Sequence, residues 1–165
     1  MIELNGSDKS PVPGKAHLQV NSGLSELDQV LSWFSHLHQS PIPTSVWIRC
    51  QLALAEAFTN AVRHAHRELP PNTSVDIEVT LLPEHLEIRV WDQGPPFDLE
   101  QKINSLSDRV DIFSPGGRGL KLMKDIADTL SYTRTDDNNR NCLLIVKQYC
   151  PTLEGDGEKA TCQET

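Results

Sequence analysis

The sequence predicts an α+β fold: a two-layer α/β sandwich whose mixed, mostly antiparallel sheet is covered by helices on one face. Three observations lead there. Two pairs of segments alternate apolar and polar residues with period two and are joined by short turns, the pattern of β-hairpins. Other segments space their apolar residues at three and four, the pattern of helices with one buried face. Strands also outnumber the β-α-β crossovers that a parallel sheet would need, which excludes a doubly wound parallel fold.

Taken in chain order, residues 1–14 combine Gly, Ser, Pro and charges and read as a flexible leader. Ala16–Asn21 alternates weakly, as an edge strand does. After Ser22-Gly23, the segment Leu24–His38 places Leu24, Leu27, Val30, Leu31, Phe34 and Leu37 on one helical face. Ser40-Pro41-Ile42-Pro43 breaks the chain, and a longer helix is expected from Thr44 to His66, ending ahead of Pro70-Pro71. Ser74–Leu82 and His85–Trp91 alternate around a Pro83-Glu84 turn and form the first hairpin. Gln93–Gly117 is rich in Gly and Pro and reads as a long loop with one short helix, a length that marks functional loops. Arg118–Ala127 is helical, and Thr129–Arg134 with Cys142–Gln148 makes a second hairpin. One folded domain over residues 15–150 and a polar tail over 151–165 complete the expected organisation.

Composition narrows the function. A net charge of −8 over 165 residues opposes direct nucleic-acid binding, which needs clustered Lys and Arg. No apolar run is long enough to span a membrane. The four cysteines, Cys50, Cys142, Cys150 and Cys162, lack C-x-x-C spacing, so free thiols in a reducing cytoplasm are expected rather than a zinc site.

Three short constellations could carry chemistry. In the first, Glu56, Asn60 and His64 are spaced i, i+4, i+8 on one helical stripe. A carboxamide offers a neutral oxygen to Mg²⁺, and a carboxylate one turn away can accept a proton from a hydroxyl. A solvated helix face would look the same. The second is Asp92-Gln93-Gly94-Pro95-Pro96-Phe97-Asp98 at a strand end. A carboxylate there can accept the exocyclic amine of adenine, although the same residues also form ordinary turns. The third is Gly116-Gly117-Arg118-Gly119-Leu120 opening a helix. Its free backbone N–H groups suit phosphate, as they would a simple glycine hinge.

Their order in the chain is more telling than any one of them. Striped helix, strand-end D-x-G, long loop and helix-opening glycines resemble the N box and two glycine boxes of the gyrase, histidine-kinase and mismatch-repair ATPase superfamily. The likeness extends over residues 16–149 and implies the Bergerat-type fold. EAFTNAVRHA, WDQGPPFD, GGRGLKLMKDIADTLSY and the pattern in NCLLIVK resemble more closely its bacterial anti-sigma-factor serine/threonine kinase branch. The resemblance implies ATP and Mg²⁺ as cofactors, Glu56 as general base and Asn60 as metal ligand. It implies a nucleotide-binding set of Asn60, Arg63, His64, Asp92, Gly94, Phe97, Gly116, Gly117, Arg118, Gly119 and Leu120. Within it, Asp92 reads adenine and the segment from Phe97 to Gly116 forms a lid. It further implies a small anti-sigma antagonist as substrate, a sigma factor as second partner, a homodimer and a cytoplasmic location. Leu24–His38 is the candidate interface helix. Two other readings stay open: an ATP-binding partner-switch module without turnover, and a stand-alone histidine-kinase-like ATPase domain. Glu56 speaks against the latter, since histidine kinases usually carry asparagine at that position.

Overall fold

A computed structural model describes residues 14–105, 117–135 and 139–152. Strand β1 (Gly14–Asn21) leads through one turn of 3₁₀ helix (Leu24–Glu26) into α1 (Leu27–His36) and then α2 (Thr44–Asn60). Strands β2 (Ser74–Leu81) and β3 (His85–Asp92) follow, then α3 (Leu99–Ser105), α4 (Gly117–Ile126), β4 (Thr129–Thr135) and β5 (Arg140–Gln148). The five strands lie in the order β1-β2-β3-β5-β4, and every neighbouring pair is antiparallel. The expected sandwich is therefore present, but the sheet is antiparallel throughout rather than mixed. The helical excursion after β1 returns the chain antiparallel beside it as β2, whereas the one after β3 leads to β4, which runs parallel to β3 with β5 between them.

Period-two alternation sets which face is buried. Val75, Ile77, Val79 and Leu81 of β2 continue across the sheet into Leu86, Ile88 and Val90 of β3 and Leu143 and Ile145 of β5. Against this inner face pack Val30 and Phe34 of α1, Ala53, Leu54, Ala57 and Phe58 of α2, and Leu120, Met123 and Ile126 of α4. The Phe34 and Trp47 rings stack at 4.3 Å and fasten α1 to α2. Full burial of each large side chain contributes roughly 1.5–3 kcal/mol, so this one layer supplies most of the driving force for folding.

The second helix departs from the expected single α-helix over Thr44–His66. It is α-helical only to Asn60, and Ala61–Ala65 forms a π-helical turn closed by an i to i+5 bond from His66 N–H to Ala61 O, 2.9 Å long. A π turn rotates the side chains after it, and such turns concentrate at functional sites. Among the expected thiols, Cys50 and Cys142 are free and buried, whereas Cys150 is disulfide-bonded. Among the described residues, no helix is long and apolar enough to cross a membrane.

Candidate nucleotide site

A cavity of about 380 Å³ opens between the C-terminal half of α2, the end of the sheet and the segments that follow β3. It is large enough for a small-molecule ligand. Asn60 and His64 line it from α2 and the π turn, Asp92 from the sheet, Phe97 from the loop after β3 and Leu120 from α4. Five residues singled out from the sequence, drawn from all three constellations, thus share one concavity.

Asp92 sits there because β3 runs one residue further than its apolar pattern suggests. Leu86, Ile88 and Val90 face the core, and Asp92 is the next inward position, at 3% exposure. Three donors satisfy its carboxylate. Oδ1 accepts from Gly94 N–H at 2.9 Å and from Asn141 Nδ2 at 2.8 Å, while Oδ2 accepts from the Tyr132 hydroxyl at 2.6 Å. Asn141, fully buried, also donates to Gly94 O at 3.0 Å, and Arg134 donates to Gly94 O and Asn141 Oδ1, both at 3.2 Å. Burial, and next the hydrogen bond to Asp92, push the Tyr132 phenol well above the usual tyrosine range, so it remains a donor. Charge-assisted bonds of this kind are the strong ones, and together they hold the carboxylate in one orientation.

Gly94 packs against the backbone of the π turn. A Cβ there would overlap the Ala65 carbonyl oxygen and lie 2.8 Å from its carbon and 2.9 Å from Ala65 Cα. The missing side chain lets the Asp92 loop rest on the backbone of the π turn. His66 joins the same two segments: its Nε2 accepts from Gln93 N–H at 2.8 Å. The ring is 3% exposed, and burial holds its pKa below the ordinary 6.5, against a smaller opposing effect of Asp92.

Glu56 does not line the cavity. Its carboxylate lies against α4, where a Cβ on Gly119 would overlap Oε2, with Cδ at 3.3 Å and Asn60 Nδ2 at 3.8 Å. Glu56, Asn60 and the first turn of α4 therefore adjoin at the cavity's rim. Gly117 and Gly119 are buried at that turn. Arg63 and Arg118 are exposed and stand outside the cavity lining. The expected i, i+4, i+8 stripe is interrupted at the π turn, so Glu56 and His64 end in different surroundings. Gly116 lies outside the described residues.

Residues 20–147 match the family described as the histidine kinase-like ATPase domain. This chain belongs to that family. The ATPase domain is 41% identical over 83 residues to the serine-protein kinase RsbW of Bacillus subtilis (strain 168), a stretch covering 47% of this chain and 51% of the relative. With RsbW of Staphylococcus aureus (strain MRSA252) it is 29% identical over 86 residues, covering 49% and 54%. The chain thus spans about half the length of the curated relatives it matches. The crystal structure of the RsbU and RsbW domains of Rv1364c from Mycobacterium tuberculosis has the same fold. Its TM-score is 0.59 at 12% identity, covering 84% of this chain and 34% of that one.

Four polar residues of this ATPase domain's site lie outside the set expected from the sequence: Tyr132, Asn141, Arg134 and Lys102, the last of which lines the cavity from α3. For Asn141 and Arg134 a signal was there to read. Asp92, Asn141 and Arg134 occupy one inward-facing register row across β3, β5 and β4. Extending the period-two pattern of each strand by one step leads to them.

Proposed function

We propose that this protein is an ATP- and Mg²⁺-dependent serine/threonine protein kinase of a partner-switching system. Its substrate would be a small anti-sigma antagonist protein, and it would hold a sigma factor or related partner when not phosphorylating. The observation that carries the reading is the convergence of Asn60, His64, Asp92, Phe97 and Leu120 on one cavity, with Glu56 at its rim. Similarity to proteins named serine-protein kinase supports the reaction class.

In this reading Asp92 accepts the adenine amine and sets the base, while the first turn of α4, with buried Gly117 and Gly119, faces the phosphates through its free N–H groups. Glu56 takes the proton of the attacking serine hydroxyl, a general-base role that the carboxylate's position beside Asn60 permits. Most of the remaining acceleration comes from positioning and fixed dipoles, as is usual for phosphoryl transfer.

The donor set suits Mg²⁺. Among the described residues no group of three or more His, Cys, Asp or Glu could hold a resident metal ion. Asn60 instead provides a single neutral oxygen beside the cavity, which matches an ion that keeps waters and phosphate oxygens as its main ligands. When bound, Mg²⁺ would neutralise charge on the transferred phosphate. A sigma-factor partner would bring a cytoplasmic location, where transcription takes place, and a homodimer belongs to the same proposal.

The test combines calorimetry of ATP with Mg²⁺ and labelled-phosphate transfer to an antagonist protein from the same organism. The proposal expects binding and an acid-stable phosphoprotein. An acid-labile product would point to a histidine kinase, and binding without transfer to a partner-switch module.

A further inference from the structure

We infer that Tyr132 is a specificity-determining residue of the nucleotide site, which reads the purine amine jointly with Asp92. The inference rests on the proposed binding of ATP with its base against Asp92.

The argument is a count of hydrogen-bonding positions. An ionised carboxylate has about four acceptor positions. On Asp92, Oδ1 is occupied by Gly94 N–H and Asn141 Nδ2, and one position of Oδ2 by the Tyr132 hydroxyl. One acceptor position of Oδ2 is left. The phenol has a single proton and gives it to Oδ2 at 2.6 Å, so to any other partner its oxygen is an acceptor only. Asp92 and Tyr132 both line the cavity.

The pair therefore offers two adjacent acceptors and no donor. An exocyclic amine carries two N–H groups and satisfies both. A 6-oxo purine would set its own oxygen against them and leave buried acceptors unpaired, which is strongly disfavoured. The Tyr132 ring is held in place by an edge-on contact with Phe97 at 5.8 Å between centroids, so the phenol is fixed from two sides. An aspartate acting alone would need only one of the two amine protons, and this difference makes the inference testable.

The first experiment uses the wild-type full chain and four probes: ATP, N6-methyl-ATP, N6,N6-dimethyl-ATP and ITP, titrated by calorimetry with Mg²⁺. Joint reading predicts a stepwise loss, roughly tenfold to hundredfold for the first methyl group and a further loss for the second, with ITP among the weakest. Equal affinity for ATP and N6-methyl-ATP would overturn the inference while leaving ATP binding by Asp92 intact. If no adenine nucleotide binds, the underlying reading of the site falls as well. The second experiment is Tyr132→Phe, which keeps the ring and its contact with Phe97. The ATP-to-ITP affinity ratio should fall roughly tenfold or more. A role confined to packing would leave that ratio at its wild-type value.

Discussion

The two ends of the site are built differently. At the sheet end, Asp92 is 3% exposed, and Tyr132, Asn141 and Gly94 all donate to it. The partners come from two strands, β4 and β5, and from the loop after β3, so no single segment can shift without breaking bonds to the others. At the helix end, Glu56 and Asn60 are only partly buried, and their close neighbour is the bare backbone of Gly119 at the opening of α4. One end is held by hydrogen bonds, the other by the lack of a side chain. A part that recognises gains from rigidity, whereas a part that transfers a group must admit a substrate and let the product leave. Substitutions at the two ends should therefore fail differently.

Glu56→Ala is expected to have the largest effect. Transfer to the antagonist should drop ~10²–10⁴-fold, while calorimetry still finds ATP bound with nearly wild-type affinity. An equal loss of both would assign Glu56 to binding instead. Gly119→Ala comes next. Its methyl group would displace the Glu56 carboxylate, and a displacement near 1 Å can reduce the rate by about 10²-fold. Glu56→Asp in the same chain draws the carboxylate back, so the double variant should be more active than the product of the two single losses. Strict multiplicativity would separate Gly119 from Glu56.

At the other end, Gly94→Ala should act on folding first. The added methyl group meets the Ala65 backbone rather than the tip of a side chain. A cost of about 1–3 kcal/mol is usual for overpacking, visible as a lower denaturation midpoint. An unchanged midpoint would mean that the π turn and the Asp92 loop are less firmly joined than their contact indicates.

The smallest effect concerns pH. Above 6.5, His66 is neutral in both folded and unfolded chains, and its contribution is complete. As pH falls below 6.5 the unfolded chain binds the proton first, since burial lowers the folded-state value. Stability should then decline by at most about 1.4 kcal/mol per pH unit, until the folded-state value is passed. His66→Gln can still accept from Gln93 N–H and should flatten the denaturation profile between pH 7 and 5. A profile as steep as wild type would shift the acid sensitivity to other groups.

Much of this was legible in the chain. Apolar periodicity located every strand and the three longer helices, because burial of one face imposes its repeat on the sequence, whereas α3 was expected only as a short helix somewhere in the loop after β3. Glu56, Asn60, Asp92 and the helix-opening glycines stood out through their order in the chain, since each constellation alone fits a solvated face, a turn or a hinge equally well. The antiparallel course of every strand was not legible, since hydrogen-bond pairing between distant segments leaves no local pattern. Nor was the π turn, which shifts register without changing composition.

The sequence by itself determined the layers, the order of the elements and the residue types able to meet a nucleotide. Only the tertiary structure decided that Asn141 and Tyr132 hold Asp92, that Gly94 touches helix backbone and that Gly119 makes room for Glu56. The reason is physical. Periodicity records which side of a segment is buried, whereas a hydrogen bond or a close approach depends on which distant residue the fold brings opposite.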